Sequence, residues 1–512
     1  MSQIFKNLVV AIDDNLEEKL QLLVPNFSEY RIQRKSVDAR GKPHFVYTVE
    51  VFEKNEKAPP ISEEHFQIKK VKFNFQPPIV IGAGPAGLFA ALRLVESGIK
   101  CRLFEQGADA KTRVLHINQH WRYGKFNSRS NVCFGEGGAG LYSDGKLITR
   151  IKSPHIPYIL NRLVKFGAPA EIEYLANPHV GSDKIRRLIP KIREFLIASG
   201  CEIFLNSKVS SLLHKNGNEI YGVKLEDDRE FNSNHVILAT GHSAEDIFAH
   251  LKTIGVFMEG KSFAIGLRIE HPQKLINKIQ YREFAENIKL GAANYRLAHH
   301  DHNTGIGVYS FCMCPGGYVI SSISGENTTV CNGMSNFARN GKFANSAIVV
   351  SIDHEMNFGK DVFGGMTYRH DLESETFHFV KEKGNPKTIP VQSTVDFIKG
   401  KNSINTTTSS PSGVTPVRLD KILPNFIRKK IIEGLEKFES QMPGFLSTDS
   451  QLHGIESRTS CPIRITRDKA TLQSLSHKGL YPVGEGAGYA GGITSAAVDG
   501  VRAAEAIIGQ FL

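Results

Sequence analysis

The stretch PPIVIGAGPAGLFAALRLVESGIKCRLFEQG, Pro77 to Gly107, decides the fold. Ile79, Val80 and Ile81 read as a short buried parallel strand. Gly82-x-Gly84-x-x-Gly87, with Pro85 and Ala86 inside it, turns that strand into a helix that runs through Leu88, Leu92 and Val95 and stops at Gly98. Cys101 to Phe104 form the next strand, which finishes on Glu105 and Gln106. The three glycines differ in what they allow. Gly82 permits the tight turn, Gly84 lets backbone approach a pyrophosphate, and Gly87 lets helix and strand pack closely. The helix start supplies free N–H groups and partial positive charge for phosphates. Glu105, at the strand tip, is placed to accept hydrogen bonds from a ribose. The segment therefore reads as a dinucleotide site.

The spacing alone is a weak signal, because Gly135/Gly137/Gly140 and Gly486/Gly488/Gly491 also satisfy it. Only the first match has the strand, the long helix and the terminal acid. A membrane-crossing reading fails on length and on Arg93 and Glu96 within the apolar run.

Working outward, 512 residues suffice for two or three domains with sizeable cores. A count of 63 basic and 52 acidic residues gives +11, spread without a long basic block. That charge suits an anionic cofactor or substrate, or weak nucleic-acid contact, without choosing among them. The seven cysteines contain no CxxC and no ligand-spaced pair, so no metal site is expected. With no signal peptide or membrane span in view, the chain is expected in a reducing cytoplasm.

Residues 1–75 read as a small ferredoxin-like α+β module. It comprises a strand Leu8 to Ile12, a helix Asn15 to Leu23 capped by Asp13-Asp14, and a strand at Tyr30 to Ile32. A hairpin turning at Arg40-Gly41-Lys42-Pro43 follows, its return strand alternating at Phe45, Tyr47, Val49 and Val51. Lys54 to Glu64 reads as a linker. After Glu105, the glycine-rich FGEGGAGLYSDGKL brings Gly138 within reach of a bound cofactor, since missing side chains let N–H groups approach polar edges. Helices are expected over Ile156 to Phe166 and Asp183 to Ser199. Strands are then expected from Cys201, in a hairpin over Asp227-Asp228, and in HVILATG, which ends on Thr240-Gly241. A last strand, Leu480 to Val483, is followed by Gly484, Glu485 and Gly486 and by a small-residue helix near Ile493.

This combination resembles the glutathione-reductase-like two-dinucleotide-binding FAD superfamily. Gly82, Gly84 and Gly87 match its phosphate loop, Glu105 its ribose acid and Thr240-Gly241 its central ATG turn. Glu485 matches the acid that hydrogen-bonds the ribityl chain, where many members carry Asp. The resemblance implies that Gly491, Gly492 and the helix start at Ile493 lie at the flavin pyrimidine edge, and that Val209 offers backbone groups to adenine. More narrowly, the chain resembles a bacterial group of predicted FAD-dependent dehydrogenases. The resemblance rests on SVDARGKPHFVYTVEV, FGEGGAGLYSDGKL, YSFCMCPGGYVI, ESRTSCPIRITRD and LYPVGEGAGYAGGITSAAVDG, spread over nearly the whole chain.

Residues 255–450 interrupt the FAD domain and are expected to face the substrate, with a mixed sheet roofing the flavin. KSFAIGLRIEHP reads as a strand carrying Arg268 and Glu270 on one side, and GIGVYSFCMCPGGYVISSIS as paired strands around Pro315-Gly316-Gly317. NSINTTTSSPSGVTP reads as a surface loop or mobile cover, and LPNFIRKKIIEGLEKFESQM as a helix. Cys312 and Cys314 are weak candidates for thiol redox chemistry, since CxC lacks the helix-start CxxC arrangement. The AHHDH run at residues 298–302 reads as an exposed loop rather than a metal site. Arg458, among small polar residues, is a weak candidate to face the pocket and bind an anionic group.

The expectation is thus an α/β chain with a discontinuous Rossmann-type FAD-binding domain (residues 76–254 and 451–512), an inserted mixed-sheet substrate domain (255–450) and the N-terminal module (1–75). Its expected function is FAD-dependent oxidation or reduction of a small, anionic molecule, with NAD(P)H as a transient electron donor. A flavin-dependent tRNA-modifying enzyme and a non-catalytic FAD-binding redox sensor or assembly protein are the alternatives.

Overall fold

Five short parallel strands lie in the order Leu480–Pro482, Val236–Leu238, Ile79–Ile81, Arg102–Phe104 and Glu202–Phe204. The computed structural model describes residues 2–53, 56–59, 66, 68–215, 218–403 and 407–512. The strand order reverses direction of growth at the central strand, Ile79–Ile81, the crevice position where open α/β sheets take their ligands. The central strands are buried on both faces, which is why they read as unbroken apolar runs. The helix Pro85–Glu96 is buried almost all round, because the C-terminal helix Ile493–Ile508 lies directly on it. A Cβ at Gly500 would overlap the Ala86 carbonyl, so this helix pair requires glycine there. Helix Ser182–Ala198 adds Ile185, Ile189, Ile192 and Leu196 to the same core.

The inserted region is one large sheet. Its path is Ala298–Asp301, Ile306–Ser321, Phe343–Ile352, Phe263–Pro272, Gln451–Glu456, Ile389–Ser393 and Val414–Pro416, with Cys331–Ser335 paired to the far end of Ile306–Ser321. All pairs are antiparallel except the last two strands of the path, so the sheet is mixed. On Phe263–Pro272, Ile265, Leu267 and Ile269 enter a core shared with the helix Asn425–Gln441. Arg268 and Glu270, one residue out of phase, point to the opposite face. That face adjoins the FAD domain: Trp121 Nε1 donates to Ser321 O at 3.0 Å, Asp144 takes the Ser335 hydroxyl, and Lys146 donates to Met313 O.

Several expectations need correction. Pro315-Gly316-Gly317 is no hairpin turn: Ile306–Ser321 is one strand, irregular between Phe311 and Gly317, that changes partner as it goes. Gly316, at φ +49°, supplies the bulge, since a side chain there would run into Arg339 O. The boundary at residue 450 falls just before Gln451–Glu456, which is hydrogen-bonded between two strands of the large sheet. The described part of the Ser/Thr-rich segment is held rather than loose, with the Ser409 hydroxyl on Glu270 and Gln451 Nε2 donating to Thr407 O at 2.9 Å. Ala298–Asp301 is an edge strand, not a loop, and two of its side chains are paired: His299 with Glu433 at 2.9 Å and Asp301 with Lys430.

The N-terminal module is the split β-α-β half of a ferredoxin-like unit. Gln3–Ala11, Glu29–Asp38 and His44–Phe52 form a sheet with His44–Phe52 in the middle. Its alternating Phe45, Tyr47, Val49 and Val51 are buried with Leu20 of the helix Leu16–Leu23. Asn15, not the aspartates before it, caps that helix, its Oδ1 accepting from Glu17 N at 2.8 Å. Residue 75 overshoots the module: Phe66, Ile68, Val71 and Phe73 pack on the core of the FAD domain. The expected linker lies largely outside the described residues. The module touches both other units, through Lys35 paired with Tyr174 and Ala176 and through Lys289 donating to Ile12 O at 3.1 Å.

Candidate functional site

Two helices begin side by side, and both begin on glycine. Gly84 caps Pro85–Glu96 and Gly492 caps Ile493–Ile508, neither with a side-chain cap. Their first N–H groups are thus free to bind something else. A Cβ on Gly140 would stand 3.0 Å from Ile493 and 3.5 Å from Pro85, so this one residue touches both starts. The family resemblance implied that these segments meet, and here they adjoin.

The glycines divide into two kinds. A Cβ at Gly82 would collide with the Ala239 carbonyl, one at Gly87 with the Gly82 carbonyl, and one at Gly138 with Gly84 Cα at 2.7 Å. Those three are required by the protein's own packing. At Gly84 the nearest atom is Gly138 Cα at 3.7 Å, at Gly492 it is Ser495 Oγ at 3.8 Å, and at Gly491 nothing lies within 4 Å. Their missing side chains leave open a track, which an extended cofactor would occupy.

Glu105 is buried and already bonded. Its Oε2 accepts from Ala83 N at 2.9 Å, and its Oε1 from Gly107 N and Gly135 N, each at 2.9 Å. It therefore knits the phosphate turn to the glycine-rich loop, a bracing role that its place at a strand tip does not reveal. Gln106 lines a cleft of about 330 Å³ with Phe134, Lys208, Ser243 and Arg458. Val209, the next residue after Lys208, turns its side chain into the core.

The glycine-rich loop rests on an arginine that sequence reasoning missed. Arg113 is fully buried on the helix Ala110–Tyr123 and donates to five main-chain carbonyls: Asn131, Val132, Gly135, Glu136 and Gly138, at 2.8 to 3.2 Å. Burial lowers its pKa, while the ring of Tyr142, 5.1 Å away, and Glu105 and Glu136 favour its charge. No spacing rule pairs position 113 with carbonyls some twenty residues on.

Glu485 lies at the other end of the track. Its loop is fixed by Asp499, which accepts from Gly484 N at 2.8 Å and forms a two-pronged pair with Arg467. A Cβ at Gly486 would meet the backbone of Gly241 at 2.5 Å, so the Thr240-Gly241 turn lies against this loop. The Glu485 carboxylate takes no hydrogen bond among the described residues, and burial pushes its pKa up to about 7. Lys261 and Arg369 are the cations that oppose this shift, and Cys312 adds to it.

Arg458 reaches the cleft but is not free. Glu373 holds it at 3.1 and 2.7 Å, and its remaining nitrogen meets Ser243 at 2.9 Å and Ser324. Cys312 and Cys314 sit in the irregular part of Ile306–Ser321, and both thiols are free. The alternation of Ile463, Arg464 and Ile465 marks Arg464 in the sequence, but nothing there places it opposite Glu259 and near Lys261. The strands Met258–Gly260 and Ile463–Ile465 run antiparallel, burying Met258, Ile463 and Ile465 on one face, which leaves Arg464 and the following Lys261 on the other. The backbone of Arg464 touches Gly488 in the Glu485 loop. No group of three or more histidine, cysteine or acidic residues among the described ones could hold a metal.

The site suits FAD on three observations: two uncapped helix starts, a glycine track between them, and an unpartnered carboxyl at Glu485. Comparison with known proteins agrees. Residues 262–459 match the family model described as "FAD-dependent protein, C-terminal domain-like", and residues 80–124 match an NAD(P)-binding Rossmann-like domain. An uncharacterized protein of Clostridium beijerinckii is 40% identical across 99% of this chain and 98% of its own. Among solved structures, a geranylgeranyl bacteriochlorophyll reductase-like protein of Thermoplasma acidophilum is similar with TM-score 0.37 and 14% identity, over 85% of this chain and 79% of its own. The glycerol-3-phosphate dehydrogenase of Bacillus halodurans, complexed with FAD, gives TM-score 0.36 and 12% identity over 87% and 68%.

Proposed function

The chain belongs to the family of FAD-dependent proteins, and on that premise we propose that it oxidises or reduces a small anionic molecule held between the FAD domain and the inserted sheet. The observation that carries this reading is the meeting of the two glycine-capped helix starts across Gly140, with the free carboxyl of Glu485 beside them. FAD, when bound, supplies the acceptor for hydride or electrons. The protein's part is to bind and orient. In this reading the N–H groups of Gly84, Ala86 and Gly87 hold the pyrophosphate, Glu485 takes a hydroxyl of the ribityl chain, and the start at Gly492-Ile493 stabilises negative charge at the ring edge. The main chain beside Val209 and Gln106 holds the adenosine end.

The substrate's charge is inferred from Lys261 and Arg464. Neither side chain has an ion pair or hydrogen bond among the described residues, and Arg464 Nε is buried without a partner. Burial, with Arg464 adding to it, lowers the pKa of Lys261, as expected for two cations awaiting an anion. A reducing cytoplasm suits the seven free thiols. No helix among the described residues is long and apolar enough to cross a membrane.

Rapid mixing of the FAD-loaded protein with NADH and with NADPH tests the electron donor. Bleaching of the flavin band by one of them, saturating with concentration, is expected. Bleaching no faster than in buffer with both would remove nicotinamide from the reading.

A further inference from the structure

Two thiols that stand 100 positions apart in the chain meet sulfur to sulfur inside the FAD domain: Cys101 Sγ donates to Cys201 Sγ at 3.4 Å. The strands Arg102–Phe104 and Glu202–Phe204 run parallel with Arg102 opposite Glu202, so the residue before each strand stands opposite the other. Glu202 N donates to Cys101 O at 2.9 Å, which carries the pairing back to that point. Opposed residues of neighbouring strands lie about 4.8 Å apart, within the roughly 4.4–6.8 Å between α-carbons that a disulfide spans. Both sulfurs enter the same core, among Leu94, Ile99, Leu103 and Leu196. Cys133, Cys314, Cys331 and Cys461, by contrast, each donate to a main-chain carbonyl, at 3.3 to 3.7 Å.

The pair lies at the start of its two strands, whereas Glu105 and the cofactor track lie at their far end, where Glu105 N donates to Phe204 O at 2.9 Å. Just outside the two cysteines come Lys100, which is exposed, and Gly200, which is half-buried. A Cβ on Gly200 would stand 3.1 Å from Lys100 Cγ, so the stem of that lysine lies along the glycine. A long, flexible side chain swings aside more readily than backbone, and a small oxidant needs no wider entry.

We propose that Cys101 and Cys201 form a redox clasp: a hydroperoxide joins them in a disulfide that ties the edge strand of the FAD sheet to its neighbour, and a dithiol reopens it. Cys201 turns its own S–H toward Glu202 O at 3.9 Å and accepts from Cys101, so its sulfur is the one favoured as the anion. That sulfur forms a bond to one peroxide oxygen as the O–O bond breaks, leaving a sulfenic acid, and the departing hydroxide takes up the Cys201 proton as water. The Cys101 sulfur then attacks the Cys201 sulfur, the S–O bond breaks, and the second hydroxide takes the Cys101 proton. Two thiols are oxidised by two electrons and one hydroperoxide is reduced. A separation of 3.4 Å is already that of a near-attack arrangement, about 3–3.5 Å, so the second step needs little movement. Until then the bond to Cys201, with burial, holds Cys101 protonated, its pKa well above the ordinary thiol range.

Hydrogen peroxide treatment of the full, FAD-loaded chain, followed by alkylation in denaturant and peptide mass spectrometry, tests this. The peptides bearing Cys101 and Cys201 are expected as one linked species, two hydrogens lighter than their sum and separated again by dithiothreitol. Cys101→Ala is expected to stop at the sulfenic acid, trapped on Cys201 by dimedone. The bond closes a loop of about 100 residues, so the linked protein should unfold at higher urea than the reduced one. Cys201→Ala should show no such rise with peroxide. Oxidation of Cys133 with Cys101 and Cys201 still reduced would overturn the proposal, as would a link that forms only in urea. A linked protein that unfolds at the same or lower urea would remove the clasp. Should either variant fail to fold, the link in the unaltered chain and its reversal by dithiothreitol decide the matter.

Discussion

Arg113 and Arg268 are both fully buried arginines, one beneath the cofactor track and one inside the inserted sheet, and they are satisfied in opposite ways. Arg113 bonds only to main-chain carbonyls of a loop close to it in sequence. Arg268 grips the carboxylate of Glu456, 188 positions away, at two points of 2.8 Å, with Asn345, Asn332 and one main-chain carbonyl, that of Cys312, completing its shell. The glycine-rich loop is therefore shaped through backbone, and the centre of the inserted sheet by charges that find each other across the fold. A buried pair of the second kind adds little net stability while intact and costs much when one partner is removed. A cation ringed by carbonyls has no single partner to lose.

That contrast is open to direct attack. Arg268→Met leaves Glu456 charged and unpaired in a dry interior, and is expected to cost about 3–5 kcal/mol, read as a fall in the urea midpoint. Adding Glu456→Met should recover most of the loss. A double variant no better than the single would mean that Arg268 acts through packing alone.

Arg113→Met is the matching cut in the other half. It leaves five carbonyls without their donor, an expected loss of about 1–3 kcal/mol, smaller because the loop can turn some of them toward water. Its sharper effect should be on FAD affinity, about tenfold for each ~1.4 kcal/mol by which the loop is loosened. Titration of stripped protein with FAD measures it. Unchanged affinity with lowered stability would separate the glycine-rich loop from the cofactor.

The smallest effect concerns Glu485. Its carboxyl rises from 4.5 to about 7 in the folded protein, so between those values the fold holds a proton that the unfolded chain has released. This contribution to stability is complete below the ordinary carboxylate range and is lost as pH rises toward 7. The melting temperature of FAD-free protein should accordingly decline across that window, and Glu485→Gln should flatten the decline. An identical slope in the variant would show that other groups set it.

The same contrast explains what was legible in the sequence. Strand Ile79–Ile81, the glycine turn and the helix behind it announce themselves locally, since each glycine answers a backbone need within a few residues. The alternation of Phe45 to Val51 likewise marks the middle strand of the N-terminal module. Arg113 and Lys146 carry no local signal, because their partners are fixed by topology and not by spacing. Glu105 reads in the sequence as a ribose acid and gives no sign there of being a brace, since its bond to Gly135 N exists only once the glycine-rich loop folds back. Pro315-Gly316-Gly317 has the composition of a turn, yet the strand runs on: partners on both sides outweigh a local preference. Gln451–Glu456 joins the inserted sheet and not the FAD domain, and nothing in so short a strand states which sheet it will enter.

One spatial claim underlies all of this, that a single extended FAD joins the two glycine-capped helix starts. A crystal structure of the FAD-loaded protein measures it directly. The predicted result has pyrophosphate oxygens within hydrogen-bond distance of the N–H groups of Gly84, Ala86 and Gly87, a ribityl hydroxyl on Glu485, and the ring edge at Gly492-Ile493. FAD bound away from Gly140, or with Glu485 turned from it, would contradict that claim.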